Sequence, residues 1–558
     1  MAQPASSAGN LAGSAARSSR KLRWRAARAT VHDVNTDELL KGLREPGCYP
    51  GDAETVEIIQ THLSIVCLAG DRVYKLKKAI TLPFVDFAPL KARRKACRDE
   101  VRLNRRLCPQ MYLGTSAVRM EDGQLQIAEL GDDEGPGDLD VAVVMARLPQ
   151  GRMLDELAAA GTVTDDEIRE LARVVAAFHR DADGGAEVRE LGAPDKLIGF
   201  ADANFEELQE IADHGLPQEL LAELRGASGR AFARILPELR ERAASGRVVD
   251  GHGDLHTRNV CMTDPATIYD CIEFEPAFRC GDVVTEVAFL AMDLRHRGAA
   301  ELARTFVDAY VDHSGDARLP VLLPQLCSYR AMIRGKVAAL TATEKEVSDG
   351  VREAARRSAR RHLILACTCT IESQGPWWLL VSGPPASGKS SLCRELRDVS
   401  QWPHLATDVV RKGLAGLEPT EHASAEHYSA AFSEQTYGEL LRLAAASTES
   451  GRPCVLLDGN FPTPEHRARA ADAARSAGAR LAILHVDIDA ETAARRARDR
   501  RQEPGNVSDA DPSIARTLHA SYLPPTPGEV DELLEFDGTK AVSVLCEAAL
   551  AGLLARTD

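Results

Sequence analysis

The chain has 558 residues, 44% hydrophobic and 27% charged, with a formal net charge of −15. At about 100–200 residues per domain this length predicts three or four compact units, and no apolar run approaches the roughly 20 residues that span a bilayer. The acidic balance disfavours a broad nucleic-acid footprint, and thirteen cysteines scattered without C-x-x-C spacing predict buried thiols in a reducing cytoplasm.

Residues 1–30 are rich in Ala, Ser and Arg and contain no acid, which predicts a disordered basic tail rather than a secretory leader. Abundant Ala and Arg along the chain suggest a bacterial source. Folded sequence is expected from Val31. Ile58 to Lys78 reads as two strands joined by a turn at Ala69-Gly70-Asp71. Alternation along Val73-Tyr74-Lys75-Leu76-Lys77 puts Lys75 and Lys77 on one face, where one of them is expected to meet nucleotide phosphates. The basic segment Pro89 to Leu107 predicts a helix, and Glu100 on it is the candidate partner that holds such a lysine in place. Short strands follow to Leu148, ending in the apolar Val141–Met145 run. Helices are expected over Asp165–His179, Asn204–His214, Pro217–Ala244 and most of Thr285–Thr370.

His252-Gly253-Asp254-Leu255-His256-Thr257-Arg258-Asn259 reads as a catalytic loop between two short strands. An aspartate followed five positions later by an asparagine matches the hydroxyl-orienting carboxylate and magnesium-binding amide of kinase-like enzymes. Downstream, Ile268 to Glu275 is expected to be an apolar strand carrying Asp270 and Glu273. Buried acids there require partners, and one of the two is expected to bind Mg2+. The acids Asp308, Asp312 and Asp316 read as a solvated face.

A second centre begins with the buried strand Trp377–Ser382, which runs into Gly383-Pro384-Pro385-Ala386-Ser387-Gly388-Lys389-Ser390-Ser391, a complete G-x-x-x-x-G-K-S. Here glycines let backbone N–H groups wrap phosphates, Lys389 reaches the β- and γ-phosphates, and Ser390 binds Mg2+. Pro453–Gly459 predicts another buried strand whose Asp458 completes the magnesium shell. Asp408 is expected at a strand end, orienting an acceptor hydroxyl, or as a helix N-cap. Leu481–Asp487 is a third core strand. The following helix, Glu491–Arg501, carries Arg495, Arg496, Arg498, Arg500 and Arg501, of which Arg498 and Arg500 are preferred as charge-neutralising lid residues, with a mobile lid over Gln502–Pro512.

With both centres located, the chain resembles bacterial two-part proteins in which an aminoglycoside-phosphotransferase-like kinase domain precedes a P-loop kinase-like ATP-binding domain. The resemblance implies an α/β and α+β multidomain fold. A two-lobed kinase-like domain spans 31–370 (small lobe about 31–150, helical lobe about 151–370), and a P-loop domain with a parallel sheet spans 375–558. It further implies ATP and Mg2+ as cofactors, Asp254 as the group that orients or deprotonates the acceptor hydroxyl, Asn259 as a metal ligand, and Lys75 with Glu100 as the lysine–glutamate pair. Ile272-Glu273-Phe274 departs from the family's usual Ile-Asp-Phe or Ile-Asp-Trp, leaving Glu273 or Asp270 as the second ligand. The expected activity is transfer of the γ-phosphoryl group of ATP to a small-molecule hydroxyl, in the cytoplasm, with no membrane partner. The competing readings are a regulatory or sensor ATPase and a nucleic-acid 5′-end kinase.

Overall fold

The computed structural model describes residues 36–51, 53–82, 85–131, 135, 137–211, 213–344, 347–418, 421–500, 519–530 and 532–556. The expected tail and the expected lid over Gln502–Pro512 lie outside them. The chain forms two compact units: one from residues 1–101, 112–147 and 273–275, the other from the remainder. No helix among the described residues is long and apolar enough to cross a membrane.

The first unit is built on a six-stranded antiparallel sheet. Its strands lie in the spatial order Val56–Gln60, Ser64–Ala69, Arg72–Lys77, Asp138–Ala146, Tyr112–Glu121, Gln124–Glu129. The two strands expected between Ile58 and Lys78 are therefore three. The hairpin falls at Gly70-Asp71, where Gly70 at φ 61° takes the left-handed backbone a tight turn needs. Period-two alternation sends Tyr74 and Leu76 into the core beside Cys67 and Ala142 and leaves Lys75 and Lys77 on the other face. The helix spans Leu90–Asn104, and its basic face is anchored: Arg93 is buried and donates to Asp140 at 2.8 Å and to the Phe87 carbonyl at 3.0 Å.

The second unit joins a helical bundle to a five-stranded parallel sheet. Helices run over Asp165–Asp181, Pro194–Glu210, Gln218–Ala244, Val284–His296, Leu319–Thr343 and Asp349–Glu372. Thr164 and Glu167 cap the first of these reciprocally in a capping box. The sheet order is His404–Ala406, Cys454–Asp458, Trp377–Ser382, Arg480–Asp487, Glu532–Asp537. The central strand is buried at every residue, as a parallel strand covered on both faces must be. All thirteen cysteines are free and buried.

One hydrophobic core runs through bundle and sheet: Phe289, Met332, Leu363 and Cys367 belong to the same cluster as Trp377, Leu379, Leu392 and Leu484. The closing helix Val542–Ala555, which the apolar pattern did not flag, packs in that cluster through Leu545, Leu550 and Leu553. It is also tied to the bundle by Arg230, which donates to the Leu554 carbonyl at 2.9 Å. At the centre of the join, Glu372 accepts from Arg295 at 2.6 and 2.8 Å and from the Trp402 indole at 2.7 Å. Removing one partner of such a pair strands the other in a dry interior. Glu372→Ala is expected to destabilise this unit by about 3–5 kcal/mol, read as a lower midpoint in chemical denaturation. Glu372→Gln, which keeps an acceptor for Trp402, should cost less.

The expectation of a solvated acidic face at Asp308, Asp312 and Asp316 is corrected at its last member. Asp316 is buried and, together with Asp282, clamps Arg242 through bonds of 2.7–2.8 Å, the planar fork geometry that suits guanidinium to carboxylates.

Candidate functional site

In the first unit Glu100 is fully buried and pairs with both lysines, with Lys75 at 2.9 Å and Lys77 at 2.5 Å. Lys77, the more deeply buried of the two, also contacts Glu273. Burial works against the ammonium of Lys77, but Glu100 and Glu273 outweigh it and raise its pKa. Lys75 and Lys77 in turn depress Glu100 against its burial, whereas burial and the facing Glu100 push Glu273 up. The preference for Lys75 is thus broadened to a pair, and Glu273, expected as a metal ligand, is engaged by a lysine.

The segment around Glu273 is also not the strand expected. Only Thr267–Ile268 pairs with Val260–Cys261. Beyond it the chain loops, with Asp270 at φ 65°, a left-handed conformation that an aspartate tolerates and a strand does not contain. The loop is fixed instead by side chains and single bonds: the Cys271 N–H donates to Asn104 Oδ1 at 2.9 Å, and the Ile272 N–H to the His252 carbonyl at 3.1 Å.

In the second unit the predicted catalytic loop follows the strand Val248–Asp250 and ends in a 3₁₀ turn at Thr257–Asn259. Asn259 Nδ2 donates to the Asp254 carbonyl at 2.9 Å and to its Oδ2 at 3.1 Å, which fixes the amide oxygen as the side chain's donor atom toward a cation. Asp254 is a third exposed, and His256 Nε2 lies 3.4 Å from its Oδ2. Burial opposes ionisation of Asp254, but His256, Arg334 and His252 together hold its carboxyl below the usual carboxylate range.

The groups that hold this loop were not singled out from the sequence. Glu286, on Val284–His296, accepts from the backbone N–H groups of His252 and Gly253, the latter at 2.6 Å, while its other oxygen is 2.8 Å from His179 Nε2. Burial raises its pKa, yet the His179 bond and the donors around it bring it down to about 2. Two turns on, Asp293 accepts from the Thr257 N–H at 3.0 Å and from its hydroxyl. Two acids inside the largely apolar run Val284–Leu294 were the available signal, because buried carboxylates demand donors.

The P-loop lies where strand Trp377–Ser382 meets helix Lys389–Ser400. Gly383 at φ 148° leaves no room for a side chain, since a Cβ there would stand 2.2 Å from the Val486 carbonyl oxygen. Gly388 at φ 108° also requires glycine. Pro384, Pro385, Ala386 and Ser387 are buried, Ser390 and Ser391 half-buried. Lys389 is buried and donates to the Pro384 carbonyl at 2.8 Å. Asp458 ends its strand in register with Val381, next to the P-loop, and His404 Nε2 lies 3.1 Å from its Oδ2.

Asp408 is neither at a strand end nor an N-cap: the strand stops at Ala406, and Asp408 is the second residue of helix Thr407–Leu414. Of the arginine-rich helix, Arg496 reaches the P-loop region, donating to the Gly538 carbonyl at 2.8 Å and lying 3.5 Å from the Ser387 carbonyl oxygen. Arg498 is exposed, and the side chain of Arg500 lies outside the described residues.

Residues 73–320 match the model of a phosphotransferase enzyme family and residues 379–525 that of an AAA domain. A Mycobacterium tuberculosis protein, Rv2004c, is 32% identical over 479 residues, 84% of this chain and 90% of its own, and a Mycobacterium bovis protein matches equally. Among solved structures, an amicoumacin kinase in complex with AMP-PNP, Ca2+ and Ami aligns with 59% of this chain and 93% of its own at 13% identity, TM-score 0.35. A Sinorhizobium meliloti gluconokinase aligns with 33% of this chain and 94% of its own at 18% identity, TM-score 0.24. The two family matches, in this order along the chain, and relatives that share both parts carry one conclusion: the chain belongs to the two-part proteins in which an aminoglycoside-phosphotransferase-like kinase domain precedes a P-loop kinase-like domain.

Proposed function

We propose that the protein transfers the γ-phosphoryl group of ATP to a hydroxyl of a small molecule, and that its second nucleotide centre is the P-loop. The observation that carries this reading is the Asp254 loop. A carboxylate kept ionised, partly open to solvent and bonded to Asn259 is what a hydroxyl acceptor needs to be oriented and relieved of its proton. Within the first unit, Lys75 and Lys77, ordered by Glu100, offer positive charge suited to phosphates.

Mg2+ fits oxygen donors in both centres: the Asn259 amide oxygen in the first, Ser390 and Asp458 in the second. When bound it would neutralise charge on the phosphate oxygens. The protein's own residues position the nucleotide: Lys389 and the P-loop backbone hold phosphates, and Arg496 supports the loop from outside.

A second reading has an observation behind it. With Glu273 held by Lys77, the acid that stands where such phosphotransferases commonly carry aspartate is engaged by a lysine of its own unit, which favours a nucleotide-binding module that reports to a P-loop ATPase. Labelled ATP offered with a panel of hydroxyl metabolites separates the two. Phosphorylated acceptor made by wild type and lost in Asp254→Asn supports the transferase. Release of inorganic phosphate alone, lost only in Lys389→Ala, supports the sensor.

A further inference from the structure

We infer that the P-loop half carries a site for a zinc-class divalent cation, formed by Cys393, His404 and Asp458. The cysteine sulfur, an imidazole nitrogen and a carboxylate oxygen of these residues all lie within 4.8 Å of one another. Each comes from a different element. Cys393 sits one turn into helix Lys389–Ser400, His404 opens strand His404–Ala406, and Asp458 closes strand Cys454–Asp458.

The scaffold beneath them is rigid. The two strands pair in parallel with Ala406 opposite Asp458, and the helix is pinned by Leu392 and Leu396, both fully buried. Cys393 is itself fully buried and Asp458 only 5% exposed.

The donor set distinguishes the cation. Magnesium demands oxygen ligands in an octahedron, whereas thiolate, imidazole and carboxylate together suit tetrahedral zinc at about 2.3, 2.0 and 2.0–2.2 Å. Bonds of those lengths hold neighbouring donors about 3.2–3.7 Å apart in a tetrahedron. His404 and Asp458 stand just inside that spacing at 3.1 Å, and the Cys393 sulfur lies within 4.8 Å of both. Three protein ligands leave the fourth position for water or a ligand atom.

Protons balance simply. Burial and the adjacent Asp458 keep the Cys393 thiol protonated, so cation binding releases the thiol proton to solvent while His404 coordinates as the neutral imidazole. Asp458 then serves either this cation or the magnesium of a P-loop nucleotide, so the zinc-class cation opposes Mg-ATP binding. That second half rests on the assignment of Asp458 made under Proposed function.

Co2+, which shares zinc's tetrahedral preference and reports thiolate ligation by a charge-transfer absorption, tests the site in the full-length protein. The expected result is a thiolate–cobalt band saturating at one Co2+ per chain, lost in Cys393→Ser and displaced by Zn2+. His404→Gln, at a half-buried position, should weaken Co2+ binding by at least about tenfold. No band, a band that persists in Cys393→Ser, or unchanged affinity in His404→Gln overturns the site. Mg-ATP added to the cobalt-loaded protein should diminish the band. A band indifferent to Mg-ATP leaves the cation site standing and overturns the assignment of Asp458 to the nucleotide's magnesium.

Discussion

Asp254→Asn is expected to lower phosphoryl transfer to an acceptor hydroxyl by about 10²–10⁴-fold, the usual contribution of a positioned acid–base group, with nucleotide affinity unchanged. The substitution keeps the size of the side chain and its hydrogen bond to Asn259, and removes the charge that His256, Arg334 and His252 sustain. The loop itself stays in place, because its backbone is held by Glu286 and Asp293 rather than by Asp254. Turnover measured at saturating ATP, beside nucleotide binding by calorimetry, checks both halves. Retained turnover removes Asp254 from the chemistry.

Lys389→Ala is expected to cost the P-loop about 1.5–3 kcal/mol of nucleotide binding, a loss of about 10- to 150-fold, because a charged hydrogen-bond donor to phosphate disappears. The measurement belongs on the whole chain. Helix Lys389–Ser400 buries Leu392, Cys393 and Leu396 in the core shared with the bundle, so cutting near residue 370 would expose that core. In the intact protein the variant should convert a two-site titration isotherm into a one-site isotherm, with thermal stability preserved. An isotherm identical to that of wild type overturns the role of Lys389.

Local pattern was legible wherever one short segment carried the whole message. The G-x-x-x-x-G-K-S run, the strand before it and the helix after it stand as expected, because the glycines, the apolar run and the amphipathic helix each declare themselves within a few residues. The pairing of Asp254 with Asn259 is equally local, since the two meet within one turn of the His252–Asn259 loop. Expectation failed where an apolar run was read as a strand. Ile268 to Glu275 has the composition of one, but Asp270 turns left-handed and the backbone bonds go to Asn104 and His252 instead of a ladder. The placement of Asp408 at a strand end failed for a related reason: a three-residue strand and a helix adjoin with no intervening turn residue to mark the boundary.

By itself the sequence determined that the chain carries an H-G-D-x-x-x-x-N run and a G-x-x-x-x-G-K-S run, that they come in this order, and which residues carry the charged and hydroxyl groups of each. Those properties reside in contiguous residues whose backbone needs are local. Tertiary structure alone decided which lysine faces which acid, that Glu273 is held by Lys77, that Glu286 and Asp293 fix the His252–Asn259 loop, and that bundle and P-loop sheet share one core through Glu372. It also brought Cys393, His404 and Asp458 together from three elements. Burial makes these pairings obligatory, since a charge removed from water must find a partner, but only the packing of distant segments determines which partner that is.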